Sequence, residues 1–338
     1  MLSFPKVRVA AIQAAPVYLQ VDATVDKVCE LIREAATNGA QLIAFPEVFI
    51  PGYPYWNWLL NPIQGSPWFD RLYRNSIEVP GPETERIAET ARECGCFVVI
   101  GCNERIARSI GTLYNTNLIF GADGKLLGRH RKLVPTWAEK LTWTGGDGSS
   151  LRIYDTPVGK LGTLACGENT NTLARFALLS QGEQIHVANY ISLPVAPESY
   201  NMLEAIKIRA AAHSFEGKIF TIVSCSTISQ EIIDMMCDAN SEARSLLGRR
   251  NSAFSGIIGP DGCLIGDSLA DDEGICYADI ALDACIQPKQ MHDIVGSYNR
   301  FDIFNLTVNR ARLDPVSFVQ GSQQDEPALP LNATDSST

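Results

Sequence analysis

Apolar residues along the first part of the chain recur at two spacings, one typical of buried strands and one typical of helices. Residues 7–14 and 41–45 are short, nearly continuous apolar runs, as in strands buried on both faces. Between them, residues 23–37 carry apolar side chains three and four positions apart, and Asn38 and Gly39 close the helix that this spacing predicts. The pattern therefore predicts a strand, a helix and a second strand.

The pattern changes after the second predicted strand. Residues 48–81 begin with a segment dense in proline, glycine and aromatic residues, which predicts an ordered loop with short helical pieces that forms the wall of a pocket. A helix over 82–94 with Pro82 in its first turn, a strand over 97–102 and a hairpin over 118–127 with a Gly/Asp turn are predicted next.

From about residue 157 the same order of elements comes again. The corresponding segments are 160–167 and 7–14, 173–190 and 31–48, 208–225 and 86–102, and 255–266 and 118–128. Each half supplies strands buried on both faces and two helices, so this α/β chain is expected to form a four-layer α-β-β-α sandwich built from two similar halves. One doubly wound sheet is the alternative that a weak repeat leaves open.

The C-terminal part adds smaller elements to this core. Residues 276–280 predict an edge strand, and residues 283–291 predict a short helix. Residues 321–338 are polar and rich in proline, with few large apolar side chains, which is typical of disordered segments. We therefore expect a single domain over residues 1–315 and a flexible tail over residues 316–338.

Composition argues against several classes of protein. The 338 residues are 46% apolar and 20% charged, which suits a globular chain, and the net charge of -10 without any lysine or arginine run argues against nucleic acid or an anionic membrane as partner. The ten cysteines show no C-x-x-C spacing, and neither a charged leader before an apolar stretch nor a run of about 18 apolar residues occurs. We expect a cytoplasmic protein that binds a small molecule or another protein.

One cysteine occupies a position suited to a nucleophile. Cys166 lies in KLGTLACGENTNTL, where an apolar strand turns into an amphipathic helix. Unpaired backbone N–H groups and the positive end of a helix stabilise a thiolate at such a position. The alternative is a buried structural thiol like the other nine cysteines, because buried cysteine is common.

A thiol nucleophile needs a base or a cation beside it, and residues that follow other strands are the candidates. Glu47 ends the second predicted strand, and Lys132 follows the predicted hairpin in GRHRKLVPT. Both lie at the same end of the sandwich as Cys166 if the strands run as the repeat suggests. On the residues alone, Glu47 can instead cap the next loop, Lys132 can be a solvated surface lysine, and Glu139 can pair with Lys132 or Lys140.

Together these segments resemble the nitrilase superfamily, whose members use a Glu-Lys-Cys triad on a four-layer α-β-β-α fold. The matching pieces are FPEVFIPGYP around Glu47, GRHRKLVPTWAEKLTW around Lys132 and Glu139, and LACGEN around Cys166, and the resemblance extends from about residue 7 to residue 308. HRKLVPT, TWTGGDGSSL and DIVGSYNRFDIFNLTVNR are similar to the nitrilase branch. The resemblance implies that Glu47, Lys132 and Cys166 are catalytic and that Glu139 holds Lys132 and polarises water.

One position departs from the family pattern. Nitrilases commonly carry a tryptophan directly after the nucleophile, whereas this chain has Gly167. The missing indole leaves room and backbone freedom beside the sulfur. Glu168 persists, although on its own it is equally a first-turn carboxylate favoured by the helix dipole.

By resemblance, the protein is expected to hydrolyse an organic nitrile to the carboxylic acid and ammonia through a covalent cysteine thioimidate and thioester. The predicted substrate-binding residues are Tyr53, Trp56, Gly167 and Tyr190. The aromatic residues near Glu47 and the small Gly167 favour aromatic or arylacetonitrile-type substrates over short aliphatic ones, although the aromatic residues of this loop can instead belong to the core. An amidase or carbamoyl hydrolase on the same scaffold is one alternative. A non-catalytic assembly or binding protein is the other.

No cofactor and no metal are expected. The four histidines, His130, His186, His213 and His292, show no spacing typical of metal ligands, and no glycine-rich stretch ends in the GK[ST] of a phosphate loop. The resemblance implies a homo-oligomer, either a dimer through the outer helices or a larger, spiral assembly.

Overall fold

The predicted strands pair into two six-stranded sheets. The computed structural model describes residues 4–197 and 199–313, and this part of the chain contains twelve strands, nine α-helices and four 3-10 helices. The strands are β1 (Lys6–Gln13), β2 (Leu42–Ala44), β3 (Phe97–Ile106), β4 (Ser109–Phe120), β5 (Leu126–Arg131), β6 (Tyr154–Thr156), β7 (Gly159–Ala165), β8 (Ile185–Tyr190), β9 (Phe220–Cys225), β10 (Ser255–Ile258), β11 (Leu264–Leu269) and β12 (Gly274–Ala281). The α-helices are α1 (Val21–Thr37), α2 (Trp56–Leu59), α3 (Pro62–Arg74), α4 (Pro82–Cys94), α5 (Thr172–Leu179), α6 (Met202–Gly217), α7 (Gln230–Ala239), α8 (Ala243–Leu247) and α9 (Ile286–Met291). The 3-10 helices are Trp137–Leu141, Gly148–Ser150, Cys166–Thr170 and Leu282–Cys285.

The order of the strands is the same in both sheets. One sheet, read from the edge at β12, has the order β12-β1-β2-β3-β4-β5. The other, read from the edge at β6, has the order β6-β7-β8-β9-β10-β11. The second, third and fourth strands of each order are parallel to one another, and the remaining pairings are antiparallel. The predicted sandwich of two similar halves is therefore confirmed, and the single doubly wound sheet is wrong.

The apolar runs are continuous because both faces of the central strands are buried. Val9, Leu42 and Val99 of the first sheet pack between the sheets in one cluster with Val187 and Ile222 of the second. On the outer faces, the first sheet packs against α1 and α4, and the second packs against α5 and α6. The layers thus follow the order helices, sheet, sheet, helices.

The carboxyl ends of the parallel strands of both sheets meet at one end of the sandwich. Ala14, which follows β1, forms a parallel bridge with Ser226, which follows β9. The backbone N–H of Glu47, in the loop after β2, donates to the carbonyl of Tyr190 at the end of β8, with nitrogen and oxygen 3.3 Å apart. Loops from different sheets are therefore brought together at this end.

The structure differs from the sequence predictions mainly outside the sheets. Residues 48–81, predicted as a loop with short helical pieces, contain the 13-residue α3, which begins with a capping box between Asn61 and Gln64. The predicted edge strand and short helix are confirmed as β12 and α9. The predicted tail over residues 316–338 lies outside the described residues. Among the described helices, none is both long enough and apolar enough to cross a membrane.

Candidate active site

Glu47 is held in the interior by a short loop and two side-chain donors. It follows β2 and Pro46, and its carboxylate is buried. Its Oε1 atom accepts hydrogen bonds from Nζ of Lys132 and Nδ2 of Asn115, each at 2.7 Å. Its Oε2 atom has no hydrogen-bond partner among residues 4–197 and 199–313. One oxygen of the carboxylate is therefore fixed, and the other is available to a ligand.

Lys132 joins two carboxylates. Its ammonium group lies 2.7 Å from Oε1 of Glu47 and 2.7 Å from Oε2 of Glu139, and the lysine is 1% exposed. Glu139 belongs to the 3-10 helix Trp137–Leu141, and it also accepts bonds from the backbone N–H of Thr136 at 2.7 Å and the hydroxyl of Tyr53 at 3.2 Å. The predicted pairing of Glu139 with Lys132 is present, and the cluster is closed to bulk water.

The alternation of β5 explains how a lysine in a basic segment becomes buried. Arg129 and Arg131 lie on one side of the strand, where both guanidinium groups bond the buried carboxylate of Glu104. His130 and Lys132 lie on the other side and are 2% and 1% exposed. The interpretation of Lys132 as a solvated surface residue is therefore wrong.

Burial and neighbouring charge set the protonation of this cluster. Burial raises the pKa of Glu47, Lys132 opposes the rise, and Glu139 adds to it. Burial disfavours the charged form of Lys132, but Glu139 and Glu47 outweigh burial and raise the pKa of the lysine well above its usual value. Lys132 is therefore a permanent cation, whereas Glu47 binds a proton more readily than an exposed glutamate.

Cys166 begins the 3-10 helix that follows β7, and its φ of 49° lies in the left-handed region. This conformation is uncommon for residues with a side chain, and such strain is concentrated at functional sites. Burial raises the pKa of the Cys166 thiol well above its usual value, Glu47 adds to the rise, and Lys132 opposes it. Burial thus outweighs the stabilisation expected at the start of a helix, so Cys166 rests as a thiol and needs a base.

Glu168 ties the segment after Lys132 to the nucleophile turn. Its Oε1 accepts from the backbone N–H of Leu133 at 2.6 Å, and its Oε2 accepts from the backbone N–H of Ala165 at 2.8 Å. Nε2 of His130 lies 3.0 Å from the same Oε2 atom. Burial opposes the ionisation of Glu168, but His130 and the two N–H groups outweigh burial and lower its pKa. The interpretation as a mere first-turn carboxylate therefore misses its bond to a second loop.

The four predicted substrate-binding residues fall in different places. Tyr53 bonds Glu139, and Tyr190 shares an apolar cluster with Cys166 and has a buried hydroxyl without a partner in the described part of the chain. Gly167 lies in the nucleophile turn, where an added Cβ would come 3.0 Å from the hydroxyl of Thr136.

Trp56 is the exception among these predicted residues. It is buried against Trp68, with ring centroids 6.0 Å apart in a stacked arrangement, and it also packs against Gly65. None of its hydrogen bonds within the described residues reaches the catalytic cluster. It packs beneath α3, where it also lines a cavity with Gly65 and Phe69.

Two residues near the cluster were not predicted. Asn115 on β4 bonds Glu47, and no local pattern in its strand indicates this contact. Arg209 on α6 donates from Nε to the hydroxyl of Thr170 and from Nη2 to the hydroxyl of Tyr200, each at 2.7 Å, and it helps to lower the pKa of Cys166 against the stronger effect of burial.

The histidines are less scattered than their spacing suggests. Glu183, His186 and His213 form one fully buried cluster in which the atoms able to bind a metal lie within 4.8 Å of one another. Glu183 and His186 are three residues apart, so their contact could be expected from the sequence. The contact of Glu183 with His213, which is 30 residues away, could not. His130 bonds Glu168 instead.

The carbon-nitrogen hydrolase family matches the chain over residues 8–290. The chain belongs to the carbon-nitrogen hydrolase family. It is 41% identical over 314 residues to an aliphatic nitrilase of Rhodococcus rhodochrous, covering 92% of this chain and 84% of that protein. It is 34% identical over 335 residues to an arylacetone-specific nitrilase of Alcaligenes faecalis, covering 97% and 92%. These relatives confirm the predicted membership of the nitrilase branch and the prediction of an enzyme.

A solved structure of the family has the same architecture. Nit3 of Saccharomyces cerevisiae, described as a member of branch 10 of the nitrilase superfamily, aligns with a TM-score of 0.65 at 18% identity, covering 85% of this chain and 94% of that chain. At this identity the likeness concerns the fold.

Proposed function

We propose that this carbon-nitrogen hydrolase converts an organic nitrile and two water molecules into the carboxylic acid and ammonia, with Cys166 as a covalent nucleophile. The observation that carries the proposal is the buried contact of Lys132 with both Glu47 and Glu139, in the same charged environment as the buried Cys166. A free carboxylate oxygen, a permanent cation and a thiol are the groups that addition to a nitrile carbon requires.

Glu47 is the general base of the first step. Its Oε2 atom is free to accept the thiol proton while Oε1 stays bonded to Lys132. The raised pKa of Glu47 brings its basicity closer to that of the thiol. As the sulfur of Cys166 bonds to the nitrile carbon, one carbon–nitrogen π bond breaks and its electron pair moves to nitrogen.

The nitrogen of the substrate then acquires negative charge, which neighbouring groups stabilise. The ammonium of Lys132 and the backbone N–H of Gly167 stabilise the developing negative charge, and the proton held by Glu47 passes to nitrogen to give a thioimidate. Water activated by Glu47, with Glu139 holding Lys132 in place, adds to the carbon, and loss of ammonia leaves a thioester. A second water releases the acid and restores the thiol. If the tetrahedral adduct expels sulfur instead, the product is an amide.

Aromatic or arylacetonitrile-type compounds are the proposed substrates. A cavity of about 480 Å³ beside the turn that carries Glu139 is lined by Asn57, Trp58, Trp137, Ala138, Val195, Ala196, Pro197 and Arg249. The rings of Trp58 and Trp137 meet edge to face with centroids 5.4 Å apart, and Trp58 donates to the hydroxyl of Tyr53, which bonds Glu139. Aromatic walls of this kind favour flat, apolar ligands.

Ammonia release from matched nitriles and amides tests the proposed function. We expect benzonitrile, phenylacetonitrile or mandelonitrile to be hydrolysed with a higher kcat/KM than fumaronitrile, because the cavity offers aromatic faces to a flat ring. Each nitrile is also expected to be hydrolysed with a higher kcat/KM than its matching amide. Faster ammonia release from the amides would indicate an amidase. No release from either series, together with no fast-reacting thiol, would indicate a non-catalytic protein.

We also propose that the protein is a homo-oligomer. Leu173 of α5 and Ile208 and Phe215 of α6 are apolar side chains on the outer layer, and they are 62%, 67% and 55% exposed. Large apolar side chains exposed on an outer helix layer are typical of an interface. The resemblance to proteins that associate through outer helices supports the same surface.

Ile208→Glu is expected to weaken this assembly, because it would place a charge in the proposed apolar contact. Light scattering after size-exclusion chromatography should give the wild-type protein at least twice the chain mass of 36.9 kDa and give the variant a smaller mass. Ile110→Glu, which changes a 93% exposed residue on β4, is the matched control and should leave the mass unchanged. A monomeric wild-type protein would contradict the proposal.

The ten cysteines all lie within the described residues and form no disulfide, which supports a reducing, cytoplasmic location. The net charge of -10 supports a small-molecule partner over nucleic acid. We propose a single catalytic domain over residues 1–315, and a reaction that side chains and water complete without a cofactor.

A further inference from the structure

A buried chain of polar side chains leads from the nucleophile turn to α6. Nδ2 of Asn169 donates to the carbonyl oxygen of Cys166 at 3.0 Å, and Oδ1 of Asn169 lies 2.8 Å from Nε2 of His186. Nδ1 of His186 lies 2.7 Å from Oε1 of Glu183, and Nε2 of His213 lies 2.9 Å from Oε2 of Glu183. All five residues are buried. The reaction described above uses none of these side chains apart from that of Cys166.

The partners of this chain determine which atoms carry protons. Nδ2 of Asn169 donates to two backbone carbonyls, those of Leu164 and Cys166, so Oδ1 must act as an acceptor. Nε2 of His186 therefore carries a proton. Nδ1 of the same ring faces a carboxylate oxygen of Glu183, which also accepts. Protons on both ring nitrogens make His186 an imidazolium.

The other charged groups around His186 agree with this assignment. Burial disfavours an ionised Glu183, but His186 and His213 outweigh burial and lower its pKa to about 2. Burial and His186 lower the pKa of His213 to about 4, and Arg175, which pairs with Glu216 at 3.0 Å, acts in the same direction. The hydrogen bonds of the cluster therefore pair one anion, Glu183, with one cation, His186.

The spacing of these groups is that of hydrogen bonds and not of a metal site. Tetrahedral zinc holds nitrogen and oxygen ligands at about 2.0–2.2 Å, which places neighbouring ligand atoms about 3.3 Å apart. Here the facing nitrogen and oxygen atoms are 2.7 and 2.9 Å apart, and each histidine faces a different oxygen of Glu183.

The carbonyl held by Asn169 belongs to the same peptide unit as the N–H of Gly167. In a trans peptide these two groups point in opposite directions, so holding the oxygen also sets the direction of the N–H. That N–H lies in the first turn of the 3-10 helix, where the helix provides no acceptor for it. The buried chain therefore orients a donor at the nucleophile.

We propose that His186, as an imidazolium paired with Glu183, acts through Asn169 to orient and polarise the N–H of Gly167 toward the nitrogen of the attacked nitrile. Linked hydrogen bonds in a low-dielectric interior strengthen one another. A stronger pull on the carbonyl of Cys166 withdraws electron density from the peptide unit and makes its N–H a stronger donor. His186 and Asn169 are thus positioning residues, and this role rests on the proposed nitrile hydrolysis.

Two variants and a control separate this role from a merely structural one. His186→Gln removes the charge, Asn169→Leu removes the link, and His292→Gln changes an exposed histidine next to Tyr298. With the best nitrile, we expect kcat to fall about 10- to 100-fold in the first two variants and KM to change less than about threefold. The rate at which iodoacetamide alkylates Cys166 should stay within about threefold of the wild-type rate, because attack on a saturated carbon develops no charge on nitrogen. The control should match the wild-type enzyme in all three measurements.

The charge of His186 is measurable directly, because the chain contains only four histidines. Nitrogen-15 NMR of histidine-labelled protein, assigned with His186→Gln, should show both ring nitrogens protonated between about pH 6 and pH 8. A bare ring nitrogen on His186 overturns the proposal. An equal fall in the alkylation rate and in kcat also overturns it. So does one zinc ion bound per wild-type chain that is lost in His213→Gln. A wild-type protein that hydrolyses no nitrile overturns the proposed function and this role with it, while the NMR result still decides the charge.

Discussion

Cys166→Ala is expected to abolish nitrile hydrolysis and to leave the fold intact. The sulfur is the atom that bonds to the substrate carbon, and loss of a covalent nucleophile typically lowers kcat by about 10⁶-fold. Replacing a buried thiol by a methyl group leaves only a small cavity, so we expect a loss of about 1 kcal/mol in the free energy of unfolding. Ammonia release and circular dichroism measure the two effects.

Cys225→Ala is the matched control for this variant. Cys225 ends β9, is fully buried and belongs to the same apolar cluster as Cys166. The control should lose a similar amount of stability and keep its turnover within a few-fold of the wild-type value. Unchanged ammonia release in Cys166→Ala would show that another group forms the bond to the substrate.

Lys132→Met is expected to impair both catalysis and folding. Without the ammonium, the carboxylates of Glu47 and Glu139 face each other in the interior with no cation between them. Removing one partner of a buried ion pair costs about 3–5 kcal/mol. Loss of the cation that meets the nitrogen should lower kcat by about 10³-fold. Urea unfolding and ammonia release are the measurements.

The double variant Lys132→Met/Glu139→Gln separates the two effects. It removes one of the opposed charges, so it should recover much of the stability that Lys132→Met loses, while turnover stays low. If the double variant regains activity, the lysine serves only to neutralise carboxylates.

The instability of Lys132→Met should also depend on pH. Removing the cation raises the pKa of Glu47 above the level that burial already sets, so the folded state binds a proton more strongly than the unfolded state does. The destabilisation is therefore absent below the unfolded value of about 4.3 and grows as the pH rises through the folded value. The free energy of unfolding of the variant should therefore differ less from the wild-type value at about pH 5 than at about pH 8. An equal difference at both values would contradict the assigned coupling.

Much of the fold was predictable because it depends on local pattern. A strand that is buried on both faces is an apolar run whatever it packs against, and the repeated order of elements indicated two matching layers. The pattern failed for α3, in which Gly65 and Pro67 interrupt the helical spacing, although Pro62 and the capping box start the helix well.

The candidate site was predictable only in outline. The ends of the strands that precede them indicated that Glu47, Lys132 and Cys166 lie near one another, and the family resemblance added Glu139. The contact of Asn115 with Glu47 joins residues 68 positions apart, and no periodicity encodes such a pair. The size of the thiolate stabilisation at the start of a helix was not predictable, because burial, which outweighs it for Cys166, is a property of the whole fold.

The pairing of β1 with β12 has a consequence for synthesis on the ribosome. β1 ends at residue 13, and the strand that covers its outer edge begins at residue 274. At about 5–20 residues per second, the nascent chain keeps this edge open for roughly 13–50 s. An uncovered apolar edge is a template for pairing with other chains. We therefore expect the soluble yield of this enzyme to depend on translation speed and on chaperone supply.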